Sequence, residues 1–160
     1  IKQNNPASAR KELSLDWTGG PDELNHLLKR SDFVVLCVPL TPTTKNLINQ
    51  DTLSCMKPDA CLINLARGGI VDAKALQDAL ASRRIFGVGL DVFWDEPPDP
   101  DDPIFAYNVI ATPHVGGSTD ISLKGILKII AENLRRLQDG RKLLYVKNGG
   151  PEKPPIMFNG

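Results

Sequence analysis

The sequence has little that would direct it to a nucleic acid, a membrane or a metal. Its 19 Lys and Arg residues balance 19 Asp and Glu residues, so no basic excess favours phosphate or an anionic surface. No apolar run approaches the roughly 20 residues that a membrane span needs. Two histidines, and three cysteines without C-x-x-C spacing, argue against a zinc site or a disulfide framework. We therefore expect a soluble cytoplasmic protein with reduced, buried cysteines and no nucleic-acid, membrane or metal partner.

A phosphate-binding loop is also missing. The segment GVGLDV (87–92) begins with G-x-G, but Val92 stands where a third glycine would complete G-x-G-x-x-G. The segment itself is strand-like, so its glycines are expected to allow close packing. No G-x-x-x-x-G-K-[ST] motif occurs either. If the protein binds a dinucleotide, the pyrophosphate loop must lie upstream of Ile1.

What the sequence does contain is an alternation of strand and helix patterns. Four apolar runs predict strands: FVVLCVPL, ACLINLA, FGVGLDVF and NVIATP. The first run is continuous enough to predict a strand buried on both faces. Helical periodicity predicts three helices. The first starts at Pro21 and Asp22, the second follows Asp72 as its predicted N-cap, and the third extends from Ser118 to about Asp139. Such alternation indicates βαβ units, and the predicted fold class is α/β with a parallel sheet.

Special residues follow each predicted strand. Pro39, Arg67, Asp91 and His114 come at or just after the four strand ends. The carboxyl ends of parallel strands share one edge, and ligands bind beyond that edge. The sequence therefore predicts one site there.

Three charged side chains suggest chemistry at this site. Arg67 offers a planar fork that matches a carboxylate, and Gly68 and Gly69 are expected to let the backbone turn sharply after it. His114 suits proton transfer near neutral pH, and a carboxylate such as Glu96 would favour its charged form. Each has a plainer explanation: a capping arginine, a structural histidine, a solvated acidic loop. No one of them carries the case alone.

Together the motifs resemble a known family. VPLTPTTKNLIN, MKPDACLINLARGGIVD, GVGLDVFWDEPPDPDDPIF and NVIATPHVGGST resemble the D-isomer-specific 2-hydroxyacid dehydrogenases, which include phosphoglycerate, hydroxypyruvate and D-lactate dehydrogenases. The match covers about residues 20–148, in order.

The resemblance implies a fragment of a larger enzyme. Residues 1–117 would be the C-terminal half of a Rossmann-type NAD(P)-binding domain, 118–148 a crossover helix with a piece of the substrate domain, and 149–160 a flexible tail. The fragment alone is expected to be inactive, and the parent to be a homodimer. An organellar targeting segment could precede Ile1.

The family's catalytic arginine, glutamate and histidine correspond to Arg67, Glu96 and His114. The implied reaction is hydride transfer between NAD(P)H and a small 2-oxo or D-2-hydroxy acid of the glyoxylate, hydroxypyruvate or glycerate type. By the same resemblance, the cofactor would be lined by Val38, Pro39, Leu65, Ala66, Arg67, Asp91, His114 and Gly116.

Two questions stay open at this level. The family's 2′-hydroxyl-binding acid is replaced here by Lys2 or Gln3, which favours NADP alongside NAD. A cofactor-sensing protein of the corepressor type, on the same scaffold, would keep much of this motif set. A formate dehydrogenase is disfavoured because Glu96 occupies a position where that group lacks an acid.

Overall fold

The computed structural model describes residues 10–12 and 14–146 of the 160-residue chain. The chain divides into two compact units after His114. Within the described residues, the first unit contains a four-stranded sheet and the helices that pack on it, and the second contains one long helix. Within the described residues no helix combines the length and apolarity needed to cross a lipid bilayer.

The first unit is built on four parallel strands in the order β1-β2-β3-β4. The strands are β1 (Phe33–Leu36), β2 (Cys61–Asn64), β3 (Gly87–Leu90) and β4 (Val109–Ala111). The register pairs Leu36 with Asn64, Asn64 with Leu90, and Leu90 with Ala111, so the strands end level with one another. The predicted α/β fold with a parallel sheet is confirmed.

Three helices cover one face of this sheet: α1 (Leu24–Arg30), α2 (Gln50–Cys55) and α3 (Ala73–Ala81). Helix α3 begins at the predicted N-cap, because Asp72 accepts a hydrogen bond from the Ala75 N–H at 2.8 Å. The core joins the helices to alternate strand residues, and its most deeply buried members include Leu28, Leu53, Leu62 and Leu76. A fully buried leucine contributes about 1.5–3 kcal/mol relative to an exposed one, so this layer accounts for much of the unit's stability.

The opposite face of the sheet is open, which corrects the prediction that the first strand is buried on both faces. Phe33 is 69% exposed, Val35 50% and Ile110 76%, whereas Val34 and Leu36 are buried. Burial alternates along β1 because successive side chains point to opposite faces and the helices of this unit cover only one.

Cys37 is likewise exposed, and Cys55 and Cys61 are only half-buried, so the prediction of buried cysteines was wrong.

The second unit contains α4 (Asp120–Gln138), the longest described helix. The Thr119 hydroxyl accepts from the Ser122 N–H at 3.1 Å, which fixes the first turn. Gly140 adopts φ +65° after the helix, the left-handed conformation that glycine takes most readily and that commonly ends a helix. The apolar stripe of α4 is exposed, with Ile121 85% and Leu134 58% accessible.

Candidate active site

The four residues at the predicted edge lie just past the level ends of the strands. Asp91 directly follows β3, while Pro39, Arg67 and His114 each follow their strand by three residues. Because the strands are parallel and in register, these four positions share one edge of the sheet. The four residues therefore come together, as predicted, because the sheet is parallel and its strands end level.

A short contact at this edge joins Glu96 and His114. The His114 Nδ1 lies 2.7 Å from Glu96 Oε2, and both side chains are about 40% exposed, at 41% and 39% respectively. The second carboxylate oxygen, Oε1, accepts a hydrogen bond from the Phe93 N–H at 3.1 Å. With Nδ1 engaged, Nε2 is the ring nitrogen that can face a substrate.

The surroundings of Glu96 stabilise its ionised form. The hydrogen bond from His114 is the main cause that lowers the pKa of Glu96 below its ordinary value, and the Phe93 N–H adds to it. Desolvation opposes these two hydrogen bonds, and the charges of His114 and Arg67 lower the pKa by still smaller amounts. The carboxylate thus stays charged and able to orient the imidazole.

The backbone of His114 is strained. Its φ is +54°, in the left-handed region that residues other than glycine seldom adopt. Its N–H donates to the Thr112 carbonyl at 3.0 Å, and the ring of Pro113, the preceding residue, fixes the backbone φ at that position in the chain. Strained conformations of this kind cluster at functional sites, because the surrounding structure must hold them in place.

Arg67 lies on the turn after β2 with an exposed side chain. Its Nη1 donates to the Ala66 carbonyl at 2.6 Å. Among the described residues it forms no ion pair, so its charge is balanced only at longer range, by groups such as Glu96. A guanidinium held in this way can receive an incoming carboxylate.

Asn64 is a site residue that the sequence did not indicate. This last residue of β2 is fully buried, and its side chain spans the turn that carries Arg67. Its Oδ1 accepts from the Ala66 N–H at 3.1 Å, and its Nδ2 donates to the Arg67 carbonyl at 2.9 Å. An asparagine closing an apolar run was the only available signal, because an Asn that bonds its own backbone two residues on is a common turn former.

Asp91, which is predicted to line the cofactor, is buried and bonded to a neighbouring side chain. It is 3% exposed, and its Oδ1 accepts from the Thr112 hydroxyl at 2.6 Å, so at least one partner is a side chain on the neighbouring strand end. The hydroxyl offsets part of the cost of burying a carboxylate.

The remaining predicted contacts differ in setting. Val38 and Ala66 are half-buried, while Pro39 and Leu65 are exposed at the strand ends. Gly116 belongs to the second unit, and Lys2 and Gln3 lie outside the described residues. The roles of these residues stay predictions.

The segment GVGL forms β3, as its strand-like pattern predicted, and makes no loop. A Cβ added at Gly87 would lie 2.6 Å from the Asn108 side-chain nitrogen, so close packing accounts for this glycine. In the described part of the chain, no three ligand-type side chains lie close enough together to hold a metal ion.

A parallel sheet whose strands end level at one carboxyl edge is the arrangement at which open α/β domains bind nucleotides and other ligands. The family described as "D-isomer specific 2-hydroxyacid dehydrogenase, NAD binding domain" matches residues 4–116. The chain belongs to this family.

Individual relatives agree with that assignment. The chain is 43% identical over 128 residues to a D-3-phosphoglycerate dehydrogenase of Methanocaldococcus jannaschii, covering 79% of this chain and 24% of the relative. It is 42% identical over 153 residues to a glyoxylate reductase of Pyrococcus furiosus, covering 96% and 41%. Among solved structures, the holo form of Rhodotorula graminis D-mandelate dehydrogenase has a TM-score of 0.82 at 29% identity, covering 96% of this chain and 44% of that one. The chain thus spans less than half the length of these relatives.

Proposed function

We propose that this chain is part of an NAD(P)-dependent D-2-hydroxyacid dehydrogenase that interconverts a small 2-oxo acid and its D-2-hydroxy acid. The observation that carries the proposal is the 2.7 Å contact between His114 and Glu96, on the same sheet edge as Arg67. In the proposed arrangement, residues 1–117 complete a cofactor domain, 118–148 lead into a substrate domain, and 149–160 form a tail. The active enzyme would be a homodimer of the longer protein.

The three side chains would divide the work on the substrate. Arg67 would bind the substrate carboxylate and polarise the C2 oxygen, which fixes the oxo acid in a reactive pose. His114 would donate the proton from Nε2 to that oxygen during reduction and remove it during oxidation. Glu96 would hold the imidazole in one orientation and favour its charged form.

The residues present fit the nicotinamide end of the cofactor. Asp91 has a buried carboxylate that can accept from an amide, and Leu65, which precedes Ala66, lines the same cavity with apolar surface. When bound, the nicotinamide supplies the hydride chemistry. The pyrophosphate would need a glycine-rich loop that these 160 residues do not contain, so we expect no turnover by the 160-residue chain alone.

NADP is proposed as an accepted cofactor beside NAD. Lys2 or Gln3 at the expected position of the 2′-hydroxyl-binding acid would remove a charge that repels a 2′-phosphate. A related structure from Xanthobacter autotrophicus Py2, 37% identical with a TM-score of 0.72 and covering 81% of this chain and 53% of that one, is described as a complex with NADPH and MES. Comparing KM for NADH and NADPH tests this, and a large preference for NADH would contradict it.

The proposed reaction is tested on the full-length protein that carries this segment. Glyoxylate and hydroxypyruvate are supplied with NADH or NADPH, and consumption of the reduced cofactor is followed. His114→Asn is expected to lower kcat by about 10²–10⁴-fold, the usual contribution of a positioned general acid. Arg67→Lys keeps the charge but loses the bidentate fork, so KM for the oxo acid should rise.

The control is His26→Asn, because His26 is the other histidine of the chain and is exposed on α1. It should leave kcat unchanged. If the wild-type protein binds the cofactor but reduces neither acid, the dehydrogenase proposal fails and a cofactor-sensing role becomes the better explanation.

A further inference from the structure

The loops that carry Arg67 and Glu96 pack against each other backbone to backbone at Gly68. A Cβ added there would overlap the carbonyl group of Phe93 and lie 2.6 Å from the Trp94 nitrogen. No flexible side-chain end stands in the way, so the clash could be relieved only by moving one of the two loops. Neither Gly68 nor Gly69 adopts a left-handed φ. The expected reason for the glycine pair, a sharp backbone turn, is therefore replaced at Gly68 by close approach.

A second tie lies just beyond this contact. The indole Nε1–H of Trp94 donates to the Val71 carbonyl at 2.7 Å. A side chain of the loop that carries Glu96 therefore holds the end of the turn that carries Arg67. Trp94 is half-buried and packs against the core. The two loops are thus joined once through the backbone and once through an indole.

The connection continues to the charged groups themselves. Phe93, whose carbonyl rests on Gly68, donates its N–H to Glu96 Oε1 at 3.1 Å. Arg67 is the residue before Gly68. The backbone contact between Gly68 and Phe93 therefore couples the position of the Arg67 guanidinium to that of the Glu96 carboxylate. Through the carboxylate it also couples to His114.

We propose that Gly68 and Trp94 are positioning residues that fix the distance between Arg67 and the Glu96–His114 pair. The inference rests on the proposed function, since it assigns these residues to the alignment of the substrate-binding and proton-transferring groups. A displacement of about 1 Å in such a site can cost a factor of about 10² in rate. The misalignment should act mainly on kcat, because Arg67 could still bind the carboxylate while the C2 oxygen lies out of line with His114.

Adjacent glycines provide a matched experiment. A Cβ at Gly69 would lie 3.4 Å from the nearest Leu40 methyl, an ordinary contact with a flexible side chain. Gly68→Ala and Gly69→Ala therefore add the same methyl group on either side of one peptide bond, with and without a clash. Trp94→Phe removes the indole donor but keeps an aromatic ring, and Trp17→Phe is its control on the other tryptophan of the chain.

Two readouts are taken on the full-length protein. Gly68→Ala and Trp94→Phe should lower kcat for glyoxylate by about tenfold or more, with KM changed by less than about threefold, while both controls match wild type. The titration midpoint of the Glu96 carboxyl carbon, followed by NMR, should rise in the same two variants and not in the controls. This second readout needs no turnover, so a protein without reductase activity whose Glu96 titration still responds would refute the proposed function and keep the loop alignment.

The inference is overturned if Gly68→Ala and Gly69→Ala behave alike, since chain flexibility would then explain both glycines. It is also overturned if folded Trp94→Phe keeps the wild-type kcat and the wild-type Glu96 titration. Circular dichroism verifies folding, and if Gly68→Ala does not fold, Trp94→Phe decides.

Discussion

Replacing Asn64 by aspartate exchanges one side-chain nitrogen for oxygen at a fully buried strand end, and the result should depend on pH. A protonated carboxyl can still donate to the Arg67 carbonyl and accept from the Ala66 N–H, as the amide does at 2.9 and 3.1 Å. An ionised one has no proton to donate and would place a buried charge beside a carbonyl oxygen. The pKa of the introduced carboxyl should therefore be higher in the folded protein than in the unfolded one.

The sign and size follow from linkage. A raised folded pKa means that the variant matches wild type below the unfolded pKa of about 3.9 and loses stability as pH rises toward the folded value. A rise of about two units costs about 2.7 kcal/mol, close to the roughly 1–3 kcal/mol expected for a buried hydrogen bond left unmade. The unfolding equilibrium constant should then increase about 100-fold at pH 7 and little at pH 4.

Urea denaturation followed by circular dichroism measures this difference against wild type at both pH values. Asn25→Asp makes the same chemical change on the exposed surface of α1 and should shift stability by less than about 0.5 kcal/mol. An equal loss at pH 4 and pH 7, or no loss at either, would refute the assignment of both hydrogen bonds to the Asn64 side chain.

Three further changes test the site and the core. Glu96 should titrate below 4.5, its ordinary pKa, so the stability that its lowered pKa confers is present above that pH and is lost as the pH falls through the folded value. In the variant His114→Asn, the titration midpoint of Glu96 measured by NMR should rise. An unchanged midpoint would contradict the pairing of Glu96 with His114. Asp72→Ala should cost about 0.5–2 kcal/mol through the lost cap of α3, whereas Asp78→Ala, which removes only an exposed ion pair with Lys74, should cost under about 1 kcal/mol. Leu62→Ala should cost about 2–5 kcal/mol and the half-exposed Val35→Ala clearly less, and equal losses would mean that the open sheet face is covered.

The layout of the first unit could be predicted because its pattern is local. Strand–helix alternation implies a parallel sheet, and a parallel sheet brings its strand ends to one edge, so residues as distant in sequence as Arg67 and His114 could be assigned to one place. The cap at Asp72 could be predicted because capping depends only on the next three residues.

What could not be predicted depends on contacts between distant segments. Gly68 looks like any glycine after a strand until the Phe93 carbonyl is found against it. The exposure of Cys37 and Phe33 follows from the helices lying on one face only. An apolar run shows that a strand is suited to burial but does not identify what covers it.

The left-handed backbone at position 114 changes how substitutions there should be interpreted. Asparagine tolerates φ near +54° far better than alanine does, so an alanine variant would combine loss of the imidazole with relaxation of the peptide toward a commoner geometry. Such relaxation would propagate to Pro113 and Thr112, and through the threonine hydroxyl to Asp91. An alanine scan would therefore assign to the proposed proton transfer a loss that belongs partly to the backbone conformation, and the difference between the alanine and asparagine variants measures that part.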